Sequence, residues 1–183
     1  MNELHGYDIE DLKIGMHASF VKTITEADIV LFAAVSGDNN ALHINQEFAQ
    51  TTQFKGRIAH GMLSASVISA AIAGRLPGPG TIYICQNLRF KAPVRAGDTV
   101  HATVTVKELI PEKCRARLTT VCTVDGEIVI DGDALVMTTS REDRKPESTG
   151  RSRQGALVGP SAGDLIAKRR LRSKWTPMPR ILV

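Results

Sequence analysis

The chain has few cysteines and no long apolar run, and both shortages narrow what it can be. Its three cysteines, Cys85, Cys114 and Cys122, are an odd number without metal-ligand spacing. A disulfide-stapled secreted fold is thereby disfavoured, and a reducing compartment fits best. The longest apolar stretch, Met62 to Ala73, is broken by serines and too short to span a bilayer. The opening MNELHGYDIEDLKIG is too polar for a secretory signal, which places the protein in the cytoplasm. There is no internal repeat, no dinucleotide or P-loop glycine pattern, no metal cluster and no Gly-x-Ser-x-Gly nucleophile turn.

What is present reads as one soluble globular domain with an appendage. At 183 residues, 43% of them hydrophobic, the chain can bury a core without staples. The net charge of +4 is unevenly spread. From Arg141 onward there are eleven Lys/Arg against four Asp/Glu, a charge of +7, and the remainder carries −3. Residues 1–140 are therefore assigned to a mildly acidic folded domain, and 141–183 to a basic tail expected to be disordered.

Hydrophobic periodicity predicts a helix opening at Thr25, with Asp28 completing a capping box and Ile24 and Ile29 a staple. Its buried stripe is expected to be Ile29, Phe32, Ala33 and Val35, and Gly37 to end it. Asn45 reads as the cap of a short helix through Gln50. A helix from His60 to Leu76 is so rich in small residues that something must pack closely against it from several sides. Period-two patterning then takes over: Ala18–Ile24, Thr81–Lys91, the stretch around Val100–Lys107, that around Cys114–Thr119, and Glu127–Thr139, with a hairpin turn at Asp125-Gly126. The expected fold is α+β, a mostly antiparallel curved sheet wrapped around one long helix.

Between the first two helices lies SGDNNALH, residues 36–43. It is either a plain turn or a site where Asp38 and His43 hold one water between them. The stretch Ser36-Gly37-Asp38-x-Asn40-x-x-His43 resembles the hydratase motif of the MaoC-like dehydratases, and within them the (R)-specific enoyl-CoA hydratases. Ile58-Ala59-His60-Gly61-Met62-Leu63 is similar to the start of that family's central helix. Asn87-Leu88-Arg89-Phe90-x-x-Pro93-Val94-x-x-Gly97-Asp98 is similar to its next strand and turn. Three blocks in one order, over roughly residues 8–139, make the match specific. One departure is Ala41, where the family usually has proline after the motif asparagine.

The resemblance implies a hot-dog fold and reversible syn hydration of a trans-2-enoyl-CoA to an (R)-3-hydroxyacyl-CoA. Asp38 and His43 would share the acid and base roles, in an order the sequence leaves open, and Asn40 would orient the water or hold the loop. Backbone N–H groups at the start of the central helix, beside Gly61, would stabilise the thioester oxyanion. His60 would add a hydrogen bond or serve as a structural histidine. Ser69 and Ile72 would face the acyl channel. Arg89 and Lys91, with Arg57 and Arg95, are surface charges available to the phosphates of coenzyme A. Ser64, Ser66 and Ser69 read otherwise as packing residues bonding back to helix carbonyls.

No metal and no cofactor is expected beyond coenzyme A as part of the substrate. A homodimer is implied, because a lone five-stranded sheet leaves an edge exposed. No nucleic-acid partner is expected. The competing readings are a 3-hydroxyacyl-[acyl carrier protein] dehydratase, a hot-dog thioesterase, and a non-catalytic acyl-CoA-binding protein attached through its basic tail.

Overall fold

The structure is a computed structural model that describes residues 5–142. The tail predicted from 141 therefore lies outside the described residues, except for a turn at Arg141 and Glu142. That turn is held to the N-terminal segment: Ser140 Oγ donates to Glu10 at 2.6 Å, and the Arg141 guanidinium pairs with Asp11.

Five strands form one antiparallel sheet: β1 (His17–Thr23), β2 (Ile82–Phe90), β3 (Thr99–Ile110), β4 (Arg115–Val124) and β5 (Glu127–Met137). Their spatial order is β1-β3-β4-β5-β2, which leaves β1 and β2 as edges. The meander β3-β4-β5 closes through Asp125 and Gly126, both at positive φ (50° and 85°), the backbone a tight two-residue hairpin requires. Alternation sets the register. Val106 lies opposite Leu118 and Ala102 opposite Cys122, all essentially inaccessible, while the alternate positions Thr103, Thr105, Thr119 and Val121 face outward. Irregularities in β2, β3 and β5 bend the strands, and a bent sheet can wrap a helix. Cys114, expected on a strand, sits in a left-handed turn just before β4.

Four helices follow β1 and precede β2: α1 (Glu26–Ser36), α2 (Ala41–Ile44), α3 (Gln46–Thr51) and α4 (Gly61–Gly74). The start of α1 forms as the sequence predicts. Thr25 Oγ1 accepts from Asp28 N, and the Asp28 carboxylate accepts from Thr25 N at 2.8 Å. Ile24 and Ile29 are both buried, and Gly37 closes the helix at φ 79°. Val35 departs from the expected stripe: it is 87% exposed, because α1 buries only the flank carrying Ile29 and Ala33.

The long helix α4 packs its Leu63, Val67, Ile68, Ala71 and Ile72 side into the sheet's core, with Val100, Val104 and Leu118. Burial on all sides is not what the described residues show. Met62, Ser66, Ser69 and Ala73 form an exposed stripe along α4.

Candidate active site

The site is assembled from the α1–α2 connection and the start of α4. Phe32 O accepts from Ser36 Oγ at 2.6 Å, and Ser36 Oγ in turn accepts from Asp38 N at 3.2 Å. Asp38 Oδ1 accepts from Asn40 N at 3.3 Å, so one carboxylate oxygen braces the turn and the other is left for chemistry. Asn40 Oδ1 accepts from Leu42 N at 3.0 Å, which makes Asn40 the N-cap of α2. Of the two roles open to it, holding the loop is the one its contacts display. His43 is therefore a helical residue of α2 rather than a loop residue, and it is buried.

Two backbone carbonyls orient the histidines. A carbonyl can only accept, so His43 Nδ1 donates to Ile58 O (2.9 Å), and Nε2 of neutral His43 is the bare nitrogen. His60 Nε2 likewise donates to Asp38 O at 2.9 Å, tying the mouth of α4 to the aspartate's own backbone. The two imidazoles lie against each other with centroids 3.9 Å apart and planes tilted by 32°, and Phe32 lies against His60 at 4.9 Å. An Asp38 carboxylate oxygen and one ring nitrogen from each histidine all lie within 4.8 Å of one another. Two hydrogen bonds of about 2.8 Å meeting at one water span roughly 4.5–5 Å, so a single water can bridge this set.

The same trio is a donor set that a divalent transition metal could use, which the sequence spacing did not suggest, because His60 arrives from a different element. With His43 Nδ1 and His60 Nε2 engaged by carbonyls, the donors left over would be His43 Nε2, His60 Nδ1 and the carboxylate.

Beside the trio is a cavity of about 290 Å³. His43, Gly61, Ser64 and Lys91 supply its polar lining, and its apolar walls include Phe54, Phe90 and Ile130. Gly61 is the first residue of α4, whose first free N–H groups have no acceptor within the helix. A Cβ at Gly61 would stand 2.8 Å from the Phe90 ring, so the close approach that this glycine permits is made by Phe90.

The remaining predicted site residues fall in different places. Lys91 lines the cavity and pairs with Asp131 at 3.4 Å. Arg89 pairs with Asp131 at 3.1 Å on the outer face and is not part of the cavity wall. Ser69 and Ile72, expected along the acyl channel, do not line the cavity either. Ser69 is on the exposed stripe of α4, and Ile72, 1% exposed, is in the core. Arg57 and Arg95 are braces: Arg57 pairs with Glu26 at 2.6 Å, and Arg95 donates to Arg57 O at 3.1 Å and to Phe54 O. Of the serines expected to bond back to the helix, Ser66 does so to Leu63 O at 2.6 Å, whereas Ser64 Oγ has no partner. Sequence reasoning missed Ile58, whose carbonyl sets the His43 tautomer. No side-chain signal could reveal it, since any residue brings a carbonyl.

A buried imidazole with one bare nitrogen beside a carboxylate, at an apolar cavity flanked by a helix N-terminus, defines an acid–base site of the hot-dog class. Residues 12–132 match the MaoC like domain, and the chain belongs to that family. It is 60% identical to an (R)-specific enoyl-CoA hydratase of Rhodospirillum rubrum over 132 residues, 72% of this chain and 92% of that protein. It is 48% identical to a 3-hydroxybutyryl-CoA dehydratase of Methylorubrum extorquens, over 79% of this chain and 92% of that one. Among solved structures, the unliganded R-hydratase PhaJ1 of Pseudomonas aeruginosa superposes with a TM-score of 0.70 at 41% identity, covering 87% of this chain and 99% of that one.

Proposed function

We infer that the protein is an (R)-specific enoyl-CoA hydratase, adding water reversibly across the 2,3 double bond of a trans-2-enoyl-CoA. The observation that carries this reading is the meeting of Asp38 and His43 at one-water spacing beside the cavity. His43 Nε2 takes a proton from the water as its oxygen bonds to C3, and the Asp38 carboxylate orients that water. An ionised Asp38 holds no proton, and the His43 Nδ1 proton is committed to Ile58 O. The proton delivered to C2 is then the one just taken from water, returned from the same side. That is a syn addition, and it leaves the pair as it began. Acid–base assistance of this kind contributes roughly a hundred- to ten-thousand-fold. Negative charge on the thioester oxygen is met by the Gly61 N–H, at the positive end of the α4 dipole.

Coenzyme A enters only as the carrier of the substrate, and the chemistry as written requires no cofactor. Lys91, at the cavity wall, is the cation best placed to meet a phosphate of that carrier. We assign the working form as a homodimer in the cytoplasm. The free edge of β2, with exposed Ile82, Tyr83 and Phe90, and the uncovered stripe of α4 that begins at Met62 both support a symmetric partner.

Crotonyl-CoA supplies the test. Purified protein should bleach the enoyl absorbance without releasing thiol, and Asp38→Asn or His43→Ala should abolish the reaction. Thiol release would make it a thioesterase, and inertness a binding protein. Removal of residues 143–183 should leave the rate nearly unchanged.

A further inference from the structure

One polar group in the cavity wall has no part in the chemistry above. Ser64 sits one turn along α4 from Gly61, on the same flank, and both line the cavity with His43. The residue is 1% exposed, and its Oγ is buried with no hydrogen-bond partner. A helical serine ordinarily returns its hydroxyl to a carbonyl three or four residues earlier, as Ser66 does to Leu63. Ser64 does not.

A buried hydroxyl left unpaired carries the desolvation penalty of that group with nothing to offset it. Alanine would fill the same space without that cost, so packing alone does not account for serine. The cost is recovered when a molecule in the cavity brings an acceptor. In the hydration, one acceptor grows stronger as the reaction proceeds. As the water oxygen bonds to C3, the π electrons of the double bond move through C2 onto the thioester oxygen, which becomes an enolate. A thioester oxygen seated at the Gly61 N–H lies on the flank that Ser64 shares.

We propose that Ser64 is a catalytic residue, its hydroxyl donating a second hydrogen bond, beside that of the Gly61 N–H, to the thioester oxygen as it takes up negative charge. The serine proton stays on Oγ throughout. When C2 accepts its proton the carbonyl reforms, and the bond weakens to that of a neutral thioester. A rival role exists within the fold. His60 Nδ1 is also buried and unpartnered, one helical turn away, and Ser64 could serve merely to satisfy it.

This inference rests on the hydratase reading, and one experiment separates the two. Wild type, Ser64→Ala and Ser64→Cys are compared on crotonyl-CoA for kcat and KM, on the saturated butyryl-CoA for Kd, and by thermal melting. A lost oxyanion donor costs about 10²–10³-fold in rate. Ser64→Ala should therefore lower kcat about a hundredfold or more, leave KM and the butyryl-CoA Kd within about threefold, and melt no lower than wild type. Ser64→Cys, with a weak donor, should fall between. Wild-type rates in Ser64→Ala overturn the inference and leave the hydratase reading standing. A lowered melting temperature with kcat nearly kept assigns Ser64 to His60 and also overturns it. An inactive wild type overturns both.

Discussion

The substitution Ala41→Pro should stabilise the protein, although it places proline next to the turn that carries Asp38. Three features of the backbone license it. Asn40 has φ −56° and ψ 129°, in the extended basin that the residue before proline must occupy. Ala41 is the first residue of α2, where a backbone N–H has no acceptor within the helix. Among the described residues no hydrogen bond from the Ala41 N–H is found. Proline at a first helical position loses nothing in the fold and removes freedom from the unfolded chain, a gain of about 0.4–1 kcal/mol. Unfolding entropy near 2.1 cal/mol/K per residue gives about 0.3 kcal/mol/K for a body of this length, so the melting temperature should rise by about 1–4 °C. The turn itself is already held by Asn40 on Leu42 and by His60 on the Asp38 carbonyl, so kcat on crotonyl-CoA should change less than about twofold. Calorimetry and the enoyl absorbance assay read both quantities. A melting temperature lowered by more than about 2 °C would refute the reasoning, since it would mean that the Ala41 N–H has a partner or that the ring has no room.

Other expectations follow from single contacts. Hydrogen bonds from the Thr25 hydroxyl and backbone, with the Lys22 ammonium, hold the Asp28 carboxyl down from 3.8 to about 2. A carboxyl depressed by folding stabilises above its unfolded pKa, and that contribution fades as pH falls from about 4 toward 2. Asp28→Ala should thus cost about 1 kcal/mol in urea titrations at pH 7 and almost nothing at pH 2, and an equal cost at both would show the cap to be uncharged in origin. At Gly61, a methyl group would press 2.8 Å from the ring of Phe90, which is 51% exposed and able to shift. Gly61→Ala should fold, with a melting temperature within a few degrees of wild type, yet lose about tenfold or more in kcat as the N–H is covered; full activity would remove Gly61 from the oxyanion site. Gly132→Ala is the opposite case, because its Cβ would fall 1.9 Å from the backbone oxygen of Asn87 on the paired strand. No side-chain adjustment relieves that, so the variant should lose about 2 kcal/mol or more or fail to fold, and a normal melt would show that the β2–β5 register is misplaced.

The elements of this fold were readable because each is written in local terms. The Thr25–Asp28 box, the αL glycine at 37 and the Asp125-Gly126 hairpin act over a few bonds, and alternation in β3 and β4 reports a two-faced environment directly. Asp38 and His43 were legible for a similar reason: five positions apart, they are joined by a turn whose own residues brace it. Other readings needed the third dimension. Val35 and Ser69 carry the composition of buried helix faces, yet exposure depends on what packs against a face, and among the described residues nothing covers theirs. The sequence on its own determined the cores of the strands, the helix caps and the placing of Asp38 and His43 around one turn, since propensity and short-range hydrogen bonds depend on neighbours in the chain. Only the tertiary structure decided that His60 grips the Asp38 carbonyl, that the Ile58 carbonyl chooses the His43 tautomer, and that Ser64 rather than Ser69 meets the cavity. Carbonyls carry no residue signature, and which flank of a helix meets a cavity is settled by the sheet that wraps it.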